Sequence, residues 1–206
     1  MTTNPKQHRP IEKYAAAPAA ASRGLFSSFS ELPFPLKFVS NTTFFLGLGG
    51  QQILRSWLVF QLTSSATALG LVSTAVAVPM LLVAPAGGVI ADRVDRRTLV
   101  GFGQLAVIVS ELSILVLLIT GTVRFWHLLV SAFVLGTVFS FIMPARQALV
   151  ANAVGRQGLT NAMALNMAAI NTTRIVGPAA AGLLIGLTGL QFAWGLNVAF
   201  FMLALV

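Results

Sequence analysis

Residues 88–97 read Gly88-Val89-Ile90-Ala91-Asp92-Arg93-Val94-Asp95-Arg96-Arg97 and separate two long apolar runs of the chain. An apolar run of about 20 residues is long enough for a helix to cross the roughly 30 Å hydrocarbon core of a bilayer. A short connection rich in charge has to lie outside that core, because charged side chains are costly within it. The stretch therefore predicts a tight turn between two membrane-spanning helices, and we name residues 88–97 the charged turn.

The composition of the whole chain leads to the membrane independently. Of the 206 residues, 56% are hydrophobic and only 9% are charged, with a mean hydropathy of +0.86. A soluble domain of this size does not bury so much apolar surface. Membrane-length runs lie near residues 38–62, 67–91, 98–120, 126–148 and 162–186, and a shorter run extends from 191 to the end. The sequence predicts an all-α integral membrane protein, with six transmembrane helices over residues 37–206 and the last one truncated.

Positive charge marks one side of these predicted spans. The net charge is +8, and most of the cations precede the first run, lie in the charged turn or flank the fourth run: Lys6, Arg9, Lys13, Arg23, Lys37, Arg93, Arg96, Arg97, Arg146 and Arg156. Opposite them stands only Arg124. Because cytoplasmic connections carry the excess of Lys and Arg, the N-terminus, the charged turn and residues 146–160 are predicted to be cytoplasmic. The pattern favours a multi-pass protein of the cell membrane, inner or plasma, over a nucleic-acid-binding protein.

The first 36 residues differ from the rest, with an Ala-rich stretch around Pro18 and scattered charge. This stretch is too weakly apolar for a secretory signal, which needs a firm apolar core. We interpret residues 1–36 as a flexible cytoplasmic arm. In the alternative, residues 24–32 lie on the membrane surface through Leu25, Phe26 and Phe29, until Pro33 and Pro35 interrupt them.

Several motifs in order resemble those of one transporter superfamily. The pattern G-x-x-x-D-R-x-D-R-R in the charged turn resembles the signature loop between spans 2 and 3 of the major facilitator superfamily. The blocks Pro144-Ala145-Arg146-Gln147-Ala148, Asn161-Ala162 and Gly177-Pro178 follow in the order seen in its macrolide-type drug exporters and siderophore exporters. The resemblance covers roughly residues 37–206 and implies the N-terminal half of such a transporter, built from two inverted three-span units.

The resemblance also implies a function and partners. Members export small hydrophobic or amphipathic molecules by alternating access, coupled to proton or ion movement, with the substrate site between two six-span halves. The expected partners are the lipid bilayer, a small-molecule substrate, and a missing C-terminal six-span half or a second copy of this chain. The alternative is a transport-inactive six-span remnant or scaffold. Since the sequence offers no nucleophile–base pair, phosphate-cradling loop or metal ligand set, we expect no enzyme activity, no cofactor and no metal.

The charged turn is the first candidate site. By resemblance, Asp92 and Arg93 take part in a charge cluster that holds the cytoplasmic gate against the partner half, with Gly88, Asp95, Arg96 and Arg97 beside them. A carboxylate at the C-terminal end of a helix is unfavourable for that helix's dipole, so Asp92 should find a cation or another helix's N-terminus. The alternative is a basic loop that only sets topology.

Small residues form two packing stripes. In span 5, Thr173, Gly177 and Ala181 recur every four residues, a spacing that lets another helix approach closely. With Pro178 and Gly182 they resemble the antiporter motif of drug exporters, although Thr173 and Ala181 replace glycines of that motif. In span 4, Gly136, Ser140 and Pro144 recur at the same spacing. Close packing and an antiport-specific role both remain open for span 5.

Polar residues inside the predicted spans are candidates for a substrate or ion cavity. Arg174 lies about 18 Å deep, where an unpaired cation is costly and must face protein or water. Asn166 and Asn171 share its span. In span 1, Gln51, Gln52 and Arg55 form a polar patch, although Arg55 lies close enough to the outer end to snorkel there.

Glu111 is the only acidic residue within a predicted span. A proton-coupled exporter needs a group within its spans that takes up and releases a proton, and a carboxyl group can do so. Glu111 is therefore a candidate proton carrier. In the alternative, a neutral Glu111 pairs with Ser110 or Ser113 and has a structural role. Trp126 and Trp194 are predicted to be interfacial anchors.

Overall fold

The computed structural model describes residues 33–151 and 159–205, with the backbone alone at residues 33–34, 84, 86–93, 148, 150–151, 159 and 161. The predicted arm therefore lies outside the described residues up to position 32. The described chain is helical almost throughout, which confirms the predicted six-helix, all-α architecture. The helices are α1 (Pro33–Thr63), α2 (Ala66–Arg93), α3 (Arg96–Ile119), α4 (Phe125–Ala151), α5 (Leu159–Thr188) and α6 (Leu190–Leu203).

The N-terminal end of α1 differs from the prediction. Pro33 and Pro35 do not separate the arm from the first span, because α1 begins at Pro33 and contains both prolines in its first turn. Proline is tolerated there, since the first backbone N–H groups of a helix have no acceptor within it. The start of α1 thus lies within the segment that the sequence assigned to the arm.

The charged turn is mostly helical. Gly88, Asp92 and Arg93 belong to the last turns of α2, and Arg96 and Arg97 begin α3. Only Val94 and Asp95 lie between the two helices. Asp95 is the N-cap of α3, and its carboxylate accepts hydrogen bonds from the backbone N–H and the hydroxyl of Thr98, both at 2.9 Å. The cap satisfies N–H groups that would otherwise be orphaned, so the chain reverses within two residues.

Four of the described helices are long and apolar enough to cross a membrane, over residues 66–83, 96–119, 125–147 and 162–188, and α6 is a shorter apolar helix. α1 is longer, with 31 residues, but it carries more polar side chains. Proline occurs inside α2, α4 and α5 without ending them. Membrane helices tolerate such prolines, because neighbouring groups satisfy the freed carbonyls.

The helices associate in crossed pairs rather than in chain order. α2 packs along α4 and α1 along α5, while α3 lies against α4 and α6, and consecutive α2 and α3 make few contacts. Two apolar clusters fill the interior, one around Leu54, Leu128 and Trp194 and the other around Phe44 and Phe201.

Tryptophan placement corrects part of the interfacial prediction. Trp194 is fully buried in the apolar core, because α6 turns that face toward α1 and α3 rather than toward the membrane surface. Trp126 is half-exposed and stacks on His127 with 3.7 Å between ring centroids. Large side chains such as Leu81, Phe102, Ile175 and Leu187 are exposed on the outer surface of the bundle, as expected for helices solvated by lipid.

Candidate functional site

A cavity of about 320 Å³ opens between α1, α2 and α4. Its polar lining comes from the predicted patch in α1, namely Gln51, Gln52 and Arg55, together with Ser56 and Ser73. The remaining lining is apolar, from Leu48, Val59, Leu69, Val72, Val76, Met80, Leu135 and Phe139. We name this space the α1–α2–α4 cavity. An apolar enclosure with a few convergent polar groups is the usual form of a small-molecule site.

Gln51 is the most unusual residue of this cavity. It is 1% exposed, yet neither its side-chain oxygen nor its side-chain nitrogen has a hydrogen-bond partner among the described residues. A buried amide without partners costs free energy, because it has lost its hydrogen bonds to water. Gln51 therefore places an amide without a described partner among the residues that line the cavity.

Arg55 and Glu111 form a buried ion pair behind this wall. Arg55 Nη2 donates to Glu111 Oε1 at 2.7 Å, and the two side chains are 6% and 1% exposed. Ser131 of α4 completes a triad, because its hydroxyl accepts from Arg55 Nη2 at 2.9 Å and donates to Glu111 Oε1 at 3.1 Å. Arg55 Nε and Glu111 Oε2 have no partner among the described residues. The triad joins α1, α3 and α4 while leaving one atom of each charged group uncommitted.

The triad changes two expectations from the sequence. Arg55 does not snorkel to the outer end of α1, because its guanidinium is buried against Glu111. Glu111 pairs with Arg55 and Ser131 across the bundle rather than with Ser110 or Ser113 of its own helix, and Ser113 instead donates to the carbonyl of Val109. Sequence spacing within one helix did not identify these partners, because they come from different helices.

The three polar residues of α5 do not share one wall. Asn166 faces inward and accepts a hydrogen bond from Asn41 Nδ2 at 2.7 Å. Asn171 and Arg174 are exposed on the surface of the bundle, and within the described residues Arg174 has neither an ion pair nor a hydrogen bond. Five residues correspond to about 140° around a helix, which separates Asn166 from Asn171.

The small-residue stripe of α5 packs on glycines of α1. A Cβ added to Gly177 would lie 2.9 Å from the carbonyl oxygen of Leu46. One added to Gly49 would lie 3.0 Å from the backbone carbonyl oxygen of Thr173 and 3.1 Å from Pro178 Cδ. Thr173 and Ala181 are buried along the same seam. Gly182 lies apart from it, since a Cβ there would meet no atom within 4 Å in the described structure.

The stripe of α4 packs on α2 in a similar way. A Cβ on Gly136 would lie 2.1 Å from the carbonyl oxygen of Val76 and 2.9 Å from the ring of Pro79. The Ser140 hydroxyl is placed to donate to the carbonyl of Met80 in α2 and to that of Gly136, at 3.1 Å in each case. Pro144 is exposed and lies outside this contact.

Of the charged turn, the structure describes the side chains of Asp95, Arg96 and Arg97. The pKa of Asp95 is held below its ordinary value, chiefly by the backbone N–H of Thr98, then by the hydroxyl of Thr98 and by the charge of Arg97. Arg97 is exposed and Arg96 half-buried. The side chains of Asp92 and Arg93, the predicted gate residues, and the surroundings of Gly88 lie outside what the structure describes.

A buried network that the sequence did not single out ties five helices together. Arg146 of α4 donates to Asn41 Oδ1 of α1 at 3.3 Å and to Gln104 Oε1 of α3, and Gln104 Nε2 donates to the carbonyl of Phe201 in α6 at 2.8 Å. Asn166 of α5 joins through Asn41. From the sequence, Arg146 is expected to be a flanking cation and part of the block of residues 144–148, with no partner assigned to it. The overlooked signal was the presence of Asn41 and Gln104 in otherwise apolar runs.

The described residues contain no cluster of His, Cys, Asp or Glu that could hold a metal ion. The polar groups that the structure brings together are amides, hydroxyls and one carboxylate–guanidinium pair. These groups suit the binding and orientation of a ligand in an otherwise apolar bundle.

Comparison with known families identifies the chain. The family described as transmembrane secretion effector, within the major facilitator superfamily, matches residues 24–206. The chain belongs to this family of major facilitator transporters. The family and the apolar helices together make it a multi-pass membrane protein of a transporter family.

Two relatives of this major facilitator chain are instructive. It is 24% identical over 147 residues to the uncharacterized MFS-type transporter YfiS of Bacillus subtilis, covering 71% of this chain and 34% of the relative. It is 30% identical over 155 residues to the staphyloferrin A transporter of Staphylococcus aureus, covering 72% of this chain and 38% of the relative. The matched region thus spans between a third and two fifths of the length of these relatives.

Proposed function

We propose that the protein is a secondary active exporter of small hydrophobic or amphipathic molecules, and that the α1–α2–α4 cavity contacts the substrate. The observation that carries the proposal is Gln51, which lines a mainly apolar cavity and whose buried amide has no partner among the described residues. An apolar molecule with one polar group would fill the cavity and satisfy the amide. The substrate named for the staphylococcal relative supports a small-molecule cargo in general terms only.

The test is efflux measured in cells that express the full-length protein and its variants. Gln51→Leu removes the amide from the cavity wall, and Gln191→Leu makes the same change on the exposed part of α6, outside the cavity. One lost hydrogen bond of roughly 1.4 kcal/mol corresponds to about a tenfold rise in KM for a transported amphipathic dye. The Gln191 variant should transport normally. Equal KM values for the two variants over a panel of dyes would show that the α1–α2–α4 cavity does not contact the substrate.

We further propose that the Arg55–Glu111 pair couples transport to protons. Protonation of Glu111 removes the charge that holds Arg55, so the guanidinium becomes free to bind other groups at the cavity wall. The uncommitted Glu111 Oε2 and Arg55 Nε support this proposal, because a purely structural pair would be expected to use more of its atoms.

Glu111→Gln imitates the protonated carboxyl group and tests this coupling. In proteoliposomes containing the full-length protein, substrate exchange without a gradient should persist, while accumulation driven by a pH gradient should be lost. Ser131→Ala serves as a control, because it weakens the triad without removing a titratable group. Gradient-driven accumulation at the wild-type level in Glu111→Gln would eliminate Glu111 as the coupling residue.

Helix packing supports an arrangement of two inverted three-helix units, α1–α3 and α4–α6. If the two units are exchanged, α2 corresponds to α5 and α4 corresponds to α1. The contact between α2 and α4 therefore corresponds to the contact between α5 and α1, and these two helix pairs have the most extensive contacts. In both contacts, a glycine in the first helix of one unit lies beside a proline in the second helix of the other unit. Gly136 of α4 lies beside Pro79 of α2, and Gly49 of α1 lies beside Pro178 of α5. Such units rock against a second six-helix half in alternating access. A C-terminal half, or a second copy of the chain, is the partner we propose.

Asn171 and Arg174 fit the surface that this partner would cover. A cation exposed to hydrocarbon near mid-depth costs several kcal/mol by most measures, so we infer that Arg174 faces the second half or an aqueous space between the halves. Arg174→Leu should impair efflux, whereas the neighbouring exposed change Thr172→Leu should not. Normal efflux by the Arg174 variant would argue for lipid at this face.

For the charged turn we propose a gating role centred on Asp92 and Arg93 at the cytoplasmic surface. Asp95 supports this by fixing the start of α3 two residues after α2 ends, which gives the turn a defined shape. Asp92→Asn keeps the side-chain shape and removes the charge. Substrate efflux that persists unchanged in this variant would leave the turn with a topological role alone.

A further inference from the structure

A second pocket, of about 420 Å³, lies at the end of the bundle where α1 and α3 begin and α4 and α6 end. Three cations line it, namely Lys37, Arg97 and Arg146, and two amides, Asn41 and Gln104, lie among them. No carboxylate lines it in the described part of the chain. The nearby carboxylate of Asp95 is occupied by Thr98. We name this space the basic pocket.

Arg146 gives the basic pocket its chemistry. It is 6% exposed, and its described partners are the neutral oxygens of Asn41 and Gln104 and the ring of Phe44, 4.0 Å from the guanidinium carbon. Its Nε is buried with no partner among the described residues. Buried charges are normally paired with an opposite charge. The only described ion pair of the bundle is that of Arg55 and Glu111, so Arg146 lacks an anion in this part of the structure.

The rim of the basic pocket is apolar. Leu36, Val100, Leu149 and Leu205 line it beside the cations, and Leu36 and Leu205 are 58% and 43% exposed. The pocket therefore combines positive charge and hydrogen-bond donors with hydrocarbon side chains, two of which are largely exposed. It lies at helix ends, the level at which a bilayer changes from acyl chains to headgroups.

We propose that the basic pocket binds a phosphate group, that of an anionic phospholipid, with Lys37, Arg97 and Arg146 around the phosphate and the rim leucines against the acyl chains. Basic pockets between membrane helices are suited to such headgroups, because guanidinium and ammonium groups pair with phosphate oxygens. The assignment does not depend on the proposed transport function, since the basic pocket and the α1–α2–α4 cavity share no lining residue.

The experiment uses full-length protein in nanodiscs of phosphatidylcholine, with phosphatidylglycerol added in increasing amounts. Native mass spectrometry then measures how much phosphatidylglycerol stays bound after release. Lys37→Gln with Arg97→Gln should weaken retention about fivefold for each cation removed, equivalent to about 1 kcal/mol each. The control is Arg124→Gln, which removes an exposed cation at the opposite end of the bundle and should leave retention unchanged.

A second arm distinguishes lipid from free phosphate. Inorganic phosphate is titrated into the detergent-purified protein while the melting temperature is followed. A rise in wild type that is absent in the Lys37 and Arg97 double variant would identify a soluble phosphate ligand at the same site. Retention of phosphatidylglycerol without a phosphate response would identify the lipid.

Equal phosphatidylglycerol retention and equal phosphate response in the Lys37 and Arg97 variant and in Arg124→Gln would overturn the proposal. Arg146→Gln is a stricter test, because it removes the buried cation, but it also disturbs the network with Asn41 and Gln104. If that variant does not fold, the Lys37 and Arg97 variant still decides the outcome, because neither side chain has a described hydrogen bond in that network.

Discussion

The buried polar residues near the α1–α2–α4 cavity are of two kinds, those paired across helices and those without a described partner. The Arg55–Glu111–Ser131 triad is of the first kind, and Gln51 beside it is of the second. Removing one member of a buried ion pair is strongly destabilising, because it leaves the other charge buried and unpaired. The stability of the bundle should therefore fall when one charge of the pair is removed and fall less when both are removed.

Single and double substitutions of the ion pair test this dependence. Glu111→Gln leaves the Arg55 cation buried without an anion, and we expect a loss of about 3–5 kcal/mol in the free energy of unfolding. Arg55→Gln combined with Glu111→Gln removes both charges and should recover a large part of that loss. Denaturation of the purified protein in detergent measures both, with Arg124→Gln as a control for charge removal at an exposed site. A double variant less stable than either single variant would contradict the paired-charge account.

Asp95 predicts a pH dependence confined to the start of α3. Its pKa lies below the ordinary value of 3.8, with the Thr98 N–H as the first cause, so its stabilising effect is present above pH 3.8 and is lost as the pH falls through the lowered pKa. Hydrogen exchange at the Thr98 amide, corrected for intrinsic rates, should show this loss of protection. Asp95→Asn caps the helix without titrating, so its protection should show no such step.

At the scale of elements, two glycine-lined seams set how closely the helices approach. Their tolerance to a single methyl group should differ sharply from that of glycines on the bundle surface. Gly136→Ala places a Cβ against the backbone oxygen of Val76, which cannot move without shifting α2. We expect a loss of about 1–3 kcal/mol or more, seen as a lower melting temperature and a lower yield of monodisperse protein.

Gly182→Ala is the matched control, because its Cβ would meet nothing within 4 Å in the described structure. This change should be neutral, or stabilise α5 by up to about 1 kcal/mol through helix propensity. A melting temperature lowered equally by both variants would mean that the contacts of Gly136 do not limit the approach of α2 and α4. In the antiporter-like motif of α5, the same comparison separates Gly177, which faces Leu46, from Gly182, whose Cβ would meet no described atom within 4 Å.

The helices themselves could be predicted because each apolar run is bounded by charged or turn residues. The predicted runs lie within a few residues of the observed helices, except at α1, where two prolines suggested a break but occupy the first turn. Which side chains meet across helices could not be predicted, because a single sequence gives the face of a residue but not its neighbour. Glu111 illustrates this, since its partner Arg55 lies 56 positions away in the chain.

For the whole molecule, the sequence pointed to the α1 patch that lines a cavity, but it missed the network that holds one end of the bundle together. Arg146, Asn41, Gln104 and Asn166 link α1, α3, α4, α5 and α6 through side chains, the carbonyl of Phe201 being the contact in α6. Each residue alone is an ordinary polar interruption of a span. Their common role in joining the helices is visible only when the four side chains are seen in contact. From the positions of the cations alone, Arg146 indicates only which side of the membrane it lies on.

The distribution of charge also predicts the orientation of the protein in the membrane. The chain is well suited to a direct test of this orientation, because its 206 residues contain no cysteine. Val94→Cys and Thr122→Cys place single exposed thiols at opposite ends of the bundle. A membrane-impermeant maleimide should label Thr122→Cys in intact cells and Val94→Cys only after permeabilisation, because the cation-rich end is predicted to face the cytoplasm. The unsubstituted full-length protein reports background labelling. Labelling of Val94→Cys in intact cells would indicate the opposite orientation, with the basic pocket at the outer leaflet. The excess of anionic headgroups that favours lipid binding there is expected only at the cytoplasmic leaflet.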